Sequence, residues 1–143
     1  NKRLAPKGLF LLPMRYQGNR ALLYLYRPRC LRRDLTNDLA TEVLSGAGYQ
    51  GKSCEQCVAR LMHRLREGQE FPHEVGLFLS YPPEDVKGFI DNKAENFKCA
   101  GLWKVYGDEK RARELFARYK RCTDIYCALW RAGSSIEQLA VPV

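Results

Sequence analysis

The chain has 143 residues, of which 45% are apolar, 11% aromatic and 28% charged. This balance excludes a disordered chain, and the length predicts a single folded domain over residues 1–143. The longest apolar runs, at residues 8–14 and 21–26, are far shorter than the roughly 20 residues that cross a bilayer, so we expect no membrane contact. No secretory signal is in view, so we expect a cytoplasmic protein with reduced cysteines.

The net charge of +8 is distributed unevenly along the chain. Residues 1–33 hold nine Lys or Arg and no acidic residue, whereas residues 34–143 hold 15 basic and 16 acidic residues, a net charge of −1. A local basic surface attracts polyanions or acidic proteins, so we expect an acidic polymer or a protein partner to contact residues 1–33. The candidate polyanion-binding residues are Arg15, Arg20, Arg27, Arg29, Arg32 and Arg33.

Two runs rich in apolar and aromatic residues, 9–16 and 20–27, flank a Gln-Gly-Asn turn and predict a β-hairpin. Pro13 cannot donate to a neighbouring strand, so the first strand is expected at an edge or with a bulge. Apolar residues occupy both faces of the second run, which predicts a covered inner strand. Arg and Tyr are also interleaved here, as in surfaces that bind nucleic acid, but no known RNA- or DNA-binding motif accompanies them and a solvated basic face is favoured.

Helical signals follow the hairpin. Residues 28–35 begin a helical region, and Thr36 is expected to cap a helix over residues 37–44. Ser53 and Gln56 have the spacing of a capping box, which predicts the start of another helix that Gly68 ends.

The second half of the chain predicts a strand–helix–strand unit and a long helix. Residues 74–80 indicate a strand, Pro82-Pro83 begins a helix to about residue 92, and residues 101–106 indicate a second strand. A helix with one apolar face follows to about residue 131. A right-handed crossover would make the two strands parallel. Together with the hairpin, the order ββααβαβα predicts an α+β fold with a mixed sheet of about four strands covered by helices.

Cys54 and Cys57 form a Cys-x-x-Cys motif at the start of one predicted helix. A helix N-terminus favours the thiolate that a redox pair needs, and two thiolates with further ligands, for example Cys99 and Cys122, can hold a metal. Core packing is the favoured interpretation, because both cysteines continue the apolar stripe of their helix. We therefore assign no metal site and keep Cys54 and Cys57 as weak candidates.

The two histidines have different surroundings. His63 lies on a polar helical face and is expected to be solvated, whereas His73 precedes a predicted strand beside Glu74. This pair can act as a ligand or in acid–base chemistry, although a structural histidine is favoured.

The strand-to-helix junctions offer a second type of site, because helix N-termini attract anions. Acidic residues already occupy the first turns after Pro82-Pro83 and after Gly107, where they satisfy the helix dipoles. A phosphate site built on these termini is therefore disfavoured.

The segments 70–79, 81–86 and 103–108 are Glu-Phe-Pro-His-Glu-Val-Gly-Leu-Phe-Leu, Tyr-Pro-Pro-Glu-Asp-Val and Trp-Lys-Val-Tyr-Gly-Asp. They closely resemble the domain of unknown function 3793 family, found mostly in anaerobic Gram-positive bacteria, and the resemblance covers nearly the whole chain. Family members usually carry some tens of preceding residues with a His-Cys segment, so we expect that the chain lacks this part. Ser80 stands where Gly is more usual.

The resemblance implies no established activity, but it suggests a link to iron or flavodoxin-type redox physiology. Our first hypothesis is a binding or accessory protein with a pocket near His73, Glu74, Tyr81, Lys104 and Tyr106. The alternatives are a nucleic-acid-binding module that uses the basic hairpin and a cysteine-based metal or redox protein. No catalytic constellation is recognisable, so a non-enzyme is favoured, and the sequence identifies no cofactor.

Overall fold

The computed structural model describes residues 1–68 and 70–141. After a short 3-10 turn at Ala5–Lys7, strands β1 (Phe10–Gln17) and β2 (Arg20–Tyr26) form the expected antiparallel hairpin. The register shifts between Pro13 and Arg15, so β1 carries the predicted bulge.

Arg66 stabilises this bulge from another part of the chain. Its guanidinium donates to the carbonyl of Met14 at 2.8 Å and to that of Pro13 at 3.2 Å. The bulge turns the Met14 side chain into the core, where it is almost fully buried.

The prediction that the second strand is covered on both faces is wrong. Of the seven residues in β2 only Tyr24 is buried, and its hydroxyl donates to the Phe78 carbonyl at 2.6 Å. Leu22, Leu23 and Leu25 are exposed. The hairpin is a two-stranded sheet of its own, and no further strand pairs with it among residues 1–68 and 70–141.

Three helices follow, and their caps explain where they begin. Asn37, rather than the predicted Thr36, caps the second helix, because its side-chain oxygen accepts from the backbone N–H groups of Leu39 and Ala40. Ser53 and Gln56 form the predicted capping box of the third helix. The helices are α1 (Pro28–Leu35), α2 (Asp38–Gly46) and α3 (Cys54–Glu67).

The segment predicted as a strand over residues 74–80 is instead a single helical turn, α4 (Val75–Phe78). Gly76, Leu77 and Phe78 are all buried. A short apolar run has no periodicity that separates a strand from a buried helical turn. The helical turn satisfies its backbone groups locally, and no strand lies beside it to offer a ladder.

The predicted four-stranded mixed sheet is therefore also wrong. Strands β3 (Cys99–Ala100) and β4 (Lys104–Val105) pair with each other in antiparallel orientation, and the two sheets of the described chain have two strands each. With Val75–Phe78 helical, the described residues contain no parallel strand–helix–strand crossover. The α+β class is confirmed.

The remaining helices are α5 (Pro83–Asp91), α6 (Glu109–Arg131) and α7 (Ile136–Leu139). The first half of α6 packs Ala112, Phe116 and Tyr119 against the sheet of β3 and β4, which we call the small sheet. Every residue of the chain from 120 to 133 is exposed. The predicted apolar face of α6 is thus covered only over its first half, because the two-residue strands end there. Within the described residues, no helix combines the length and apolarity needed to cross a membrane.

Two apolar clusters form the core. The larger one joins the hairpin to helices α1–α5, and the smaller one contains Trp103, Val105 and Ala112. Tyr81, in the loop between α4 and α5, packs against both. This loop therefore connects the two halves of the chain.

Ser80 in the same loop has a backbone φ of 58°, in the left-handed region that favours glycine. Its hydroxyl donates to the Asp34 carboxylate at 2.7 Å. Replacement by Ala or by Gly removes this bond equally, so the two variants differ only in backbone strain. We expect Ser80→Gly to be more stable than Ser80→Ala by about 1 kcal/mol, measured as the free energy of unfolding in urea. Equal stability of the two variants would contradict a strained Ser80.

Candidate functional site

A cavity of about 430 Å³ opens between α4, α5 and the small sheet. We call it the aromatic cleft. Three of the predicted pocket residues line it, namely His73, Tyr81 and Lys104. The rings and the large aliphatic side chain that line the aromatic cleft are Phe71, His73, Tyr81, Phe89, Leu102 and Trp103.

The rings of the aromatic cleft lie in two contacting groups. Tyr81 stacks on Trp103 with ring centroids 4.6 Å apart and an angle of 28° between the rings. His73 lies 5.1 Å from the Phe89 ring and 6.1 Å from the Phe71 ring. Gly76 leaves room for the stacked Tyr81 and Trp103 rings, because a Cβ at this position would lie 3.1 Å from Tyr81 and 2.8 Å from Val86.

A buried carboxylate holds the Trp103 wall in place. One oxygen of Asp85 accepts from the indole Nε1 of Trp103 at 2.7 Å, and the other accepts from the backbone N–H groups of Tyr106 and Gly107, both at 2.8 Å. Asp85 is only 3% exposed. Its charge is compensated by three donors, so this residue of the first turn of α5 anchors the segment after β4.

Glu74 does not belong to the aromatic cleft. Its carboxylate is buried behind α4, where it accepts from the Tyr49 hydroxyl at 2.8 Å and pairs with Arg64 at 2.7 Å. Burial, followed by the hydrogen bond to Glu74, raises the pKa of Tyr49. The predicted His73–Glu74 pair is therefore separated: His73 lines the cleft and Glu74 connects α3 to α4.

Tyr106 also lies outside the lining of the aromatic cleft. Its ring packs on α5 at Gly88, where a Cβ would come within 2.4 Å of it. Lys104 does line the cleft, but its ammonium donates to the Ala94 carbonyl at 2.8 Å and lies 4.6 Å from the centre of the Phe97 ring. Both residues thus have packing roles in the structure.

The six predicted polyanion-binding arginines differ in whether their guanidinium groups already have partners in the structure. Arg27 donates to the carbonyls of Lys7 and Val141, Arg32 pairs with Glu55 and Arg33 pairs with Asp34. Arg15, Arg20 and Arg29 have no such partner among residues 1–68 and 70–141. The nucleic-acid hypothesis stays a prediction that depends mainly on these three residues.

The Cys-x-x-Cys motif lies in the larger core. Cys57 is buried and Cys54 packs against the same cluster. Burial is the main cause that raises the pKa of both thiols, which opposes the thiolate that redox chemistry needs. In the part of the chain that the structure describes, no three His, Cys, Asp or Glu side chains come together as a metal site would require.

Several lining residues escaped the sequence analysis. Phe71, Phe89, Leu102 and Trp103 are ordinary apolar residues in a sequence, and Asp85 was assigned only to the dipole of its helix. Their exposure is a property of the fold: Phe71 and Leu102 are each 57% exposed, and no local sequence pattern distinguishes them from core residues.

The fold and cleft define a small, helix-rich α+β protein with a cavity lined by aromatic rings. The family model "Protein of unknown function (DUF3793)" matches residues 1–140. The chain therefore belongs to this family, as the sequence resemblance indicated. Neither the curated proteins nor the solved structures contain a match to the chain.

The anchor role of Asp85 can be tested with Asp85→Asn. The amide keeps one acceptor but directs a donor at the indole or at the backbone N–H groups, so a buried donor loses its partner. We expect the free energy of unfolding to fall by about 2–3 kcal/mol. The control is Asp91→Asn at the exposed end of the same helix, expected to cost about 0.5 kcal/mol or less. Equal effects of the two variants would contradict the anchor.

The cysteines predict an order of alkylation by iodoacetamide. Cys122 and Cys127 are exposed, so they should react first. Cys54 and Cys57 should react mainly after unfolding, and because their pKa values are raised, their reaction should increase only at higher pH than that of an ordinary thiol. Peptide mass mapping measures this order. Modification of Cys54 or Cys57 at the rate of Cys122 would favour the redox hypothesis.

Proposed function

We propose that this protein is a cytoplasmic, non-enzymatic binding or accessory protein that holds a flat apolar or aromatic small molecule in the aromatic cleft. The observation that carries the proposal is the cavity of about 430 Å³ with aromatic rings along its walls. Cavities of this size and apolar character are the usual sites for small ligands.

The charge and hydrogen bonding of the lining favour binding over catalysis. The Asp85 carboxylate already accepts three hydrogen bonds, and the Lys104 ammonium donates to the Ala94 carbonyl. His73 is the one histidine among the residues described as lining the cleft, and no Ser, Thr or Cys lines it beside His73. Recognition would therefore come from ring stacking and apolar burial.

The mouth of the cleft supports a ligand that enters from solvent. Phe71 and Leu102 are large apolar side chains that remain more than half exposed at the cavity. A flat ligand between them would bury this surface, at a gain of roughly 25 cal/mol per Å² of apolar area.

The link to iron or redox physiology selects the first molecules to test. Flavins combine a flat aromatic ring system with redox chemistry, which fits the redox physiology that the resemblance suggests, and their fluorescence is quenched when they stack on Trp or Tyr. The family match itself identifies no ligand, so this choice is ours.

The test is a titration of riboflavin, flavin mononucleotide and haem with the purified protein, followed by fluorescence or absorbance and by calorimetry. We expect one of these ligands to bind, and Phe71→Ala to weaken it about threefold to tenfold through loss of a stacking contact. Tyr16→Ala, which removes an exposed aromatic ring from the hairpin outside the cleft, should bind like the unmodified protein.

Two results would contradict the proposal. One is the absence of binding by every member of the panel at about 1 mM, the weak end of specific affinities. The other is equal weakening by Phe71→Ala and Tyr16→Ala, since this would show non-specific adsorption to exposed rings.

A further inference from the structure

A second cavity, of about 400 Å³, shares Tyr81 with the aromatic cleft. We call it the cationic cleft, because Arg33, Arg111 and Arg118 line it. These residues come from α1 and α6, which are distant in sequence. Its polar lining also includes Asp34, Asn37 and Ser80.

The helical periodicity of α6 explains why two of the three arginines lie on the same side of the cleft. Arg111 and Arg118 are seven residues apart, which is about two helical turns, so they lie on the same face with Leu115 between them. Arg33 joins them from α1. The cleft is therefore flanked by guanidinium groups from two helices.

Positive charge exceeds negative charge in this cleft. Asp34 is its single lining carboxylate, and its two oxygens already accept from Arg33 and from the Ser80 hydroxyl. Glu84 lies 3.9 Å from Arg111, at the outer limit of an ion pair, and the Arg111 side chain is 69% exposed. Arg118 has no acceptor among the described residues. Guanidinium donors thus remain available in a concave site.

The helix N-terminus is not the source of this site. Pro82 and Pro83 lack the N–H groups that a helix start would offer to an anion, and Asp85 in the same turn points inward to Trp103. This agrees with the expectation that the helix termini are poor phosphate sites. An anion in the cationic cleft would instead be held by side-chain forks.

We propose that the cationic cleft binds a small multivalent anion, namely a phosphate or diphosphate group, through Arg33, Arg111 and Arg118. The guanidinium fork matches phosphate oxygens and makes charge-assisted hydrogen bonds. The cleft is open, so the group can be free in solution or part of an organic phosphate. This site uses other residues than the aromatic ligand site and goes beyond that proposal.

The experiment is calorimetric titration of the full chain with inorganic diphosphate, in buffers matched to the same ionic strength with sodium chloride. We expect saturable 1:1 binding, and a loss of affinity of about tenfold or more in Arg118→Gln. Arg121→Gln is the matched control: it removes the same charge from an exposed position of α6 outside the cleft. It should reduce affinity less than twofold.

Three outcomes decide against the proposal, and a fourth identifies the source of the phosphate group. Absence of binding at about 1 mM diphosphate overturns it, and so does equal weakening by Arg118→Gln and Arg121→Gln, which would show diffuse attraction to the basic helix. Binding of heparin without binding of diphosphate would indicate that anions bind to an extended basic surface and not to the cationic cleft. Phenyl phosphate that binds more tightly than inorganic phosphate would indicate an organic phosphate as the source.

Circular dichroism of the variants checks that they fold, which we expect because both arginines are exposed. Phe71→Ala should leave diphosphate binding unchanged. This separates failure of the cationic cleft from failure of the aromatic cleft.

Discussion

The carboxylate of Asp85 is the interaction on which the second half of the fold depends. The segment from β3 to the start of α6 has only two-residue strands, so a sheet cannot fix it. Asp85 supplies the missing acceptors, binding the Trp103 indole and two successive backbone N–H groups. Trp103 then stacks on Tyr81, and Tyr81 packs on both apolar clusters. One buried charge thereby sets the position of a side-chain wall and joins the two parts of the core.

Glu74 solves the same physical problem in the first half of the chain. Here the segment is residues 70–74, just before the single turn of α4, and the buried carboxylate joins it to Tyr49 and Arg64. A buried carboxylate is costly unless it is hydrogen-bonded: Asp85 has three donors, and Glu74 has the Tyr49 hydroxyl and the Arg64 guanidinium. The polar residues of segments 70–86 and 103–108 are therefore largely a framework for the rings that line the aromatic cleft.

Sequence reasoning succeeded where the signal is local. The capping box at Ser53, the bulge at Pro13 and the long helix from Asp108 each depend on residues within a few positions of one another. It failed where tertiary context decides. The apolar run 74–80 fits a strand as well as it fits a helical turn. The exposure of β2 depends on how the rest of the chain packs around the hairpin. For the site, His73, Tyr81 and Lys104 were found, but Glu74 and Tyr106 point elsewhere, and side-chain direction has no sequence signal.

The cationic cleft shows the same limit most clearly, because Arg33 and Arg118 come together only through the packing of α1, α6 and the loop at Ser80. The uneven charge pattern drew attention to residues 1–33, yet two of the three cleft arginines lie in the remaining chain, whose net charge is slightly negative. Net charge over a segment therefore does not locate an anion site; convergence of side chains does. Tyr81 lines both clefts, so a ligand that displaced its ring from either side would change the wall of the other.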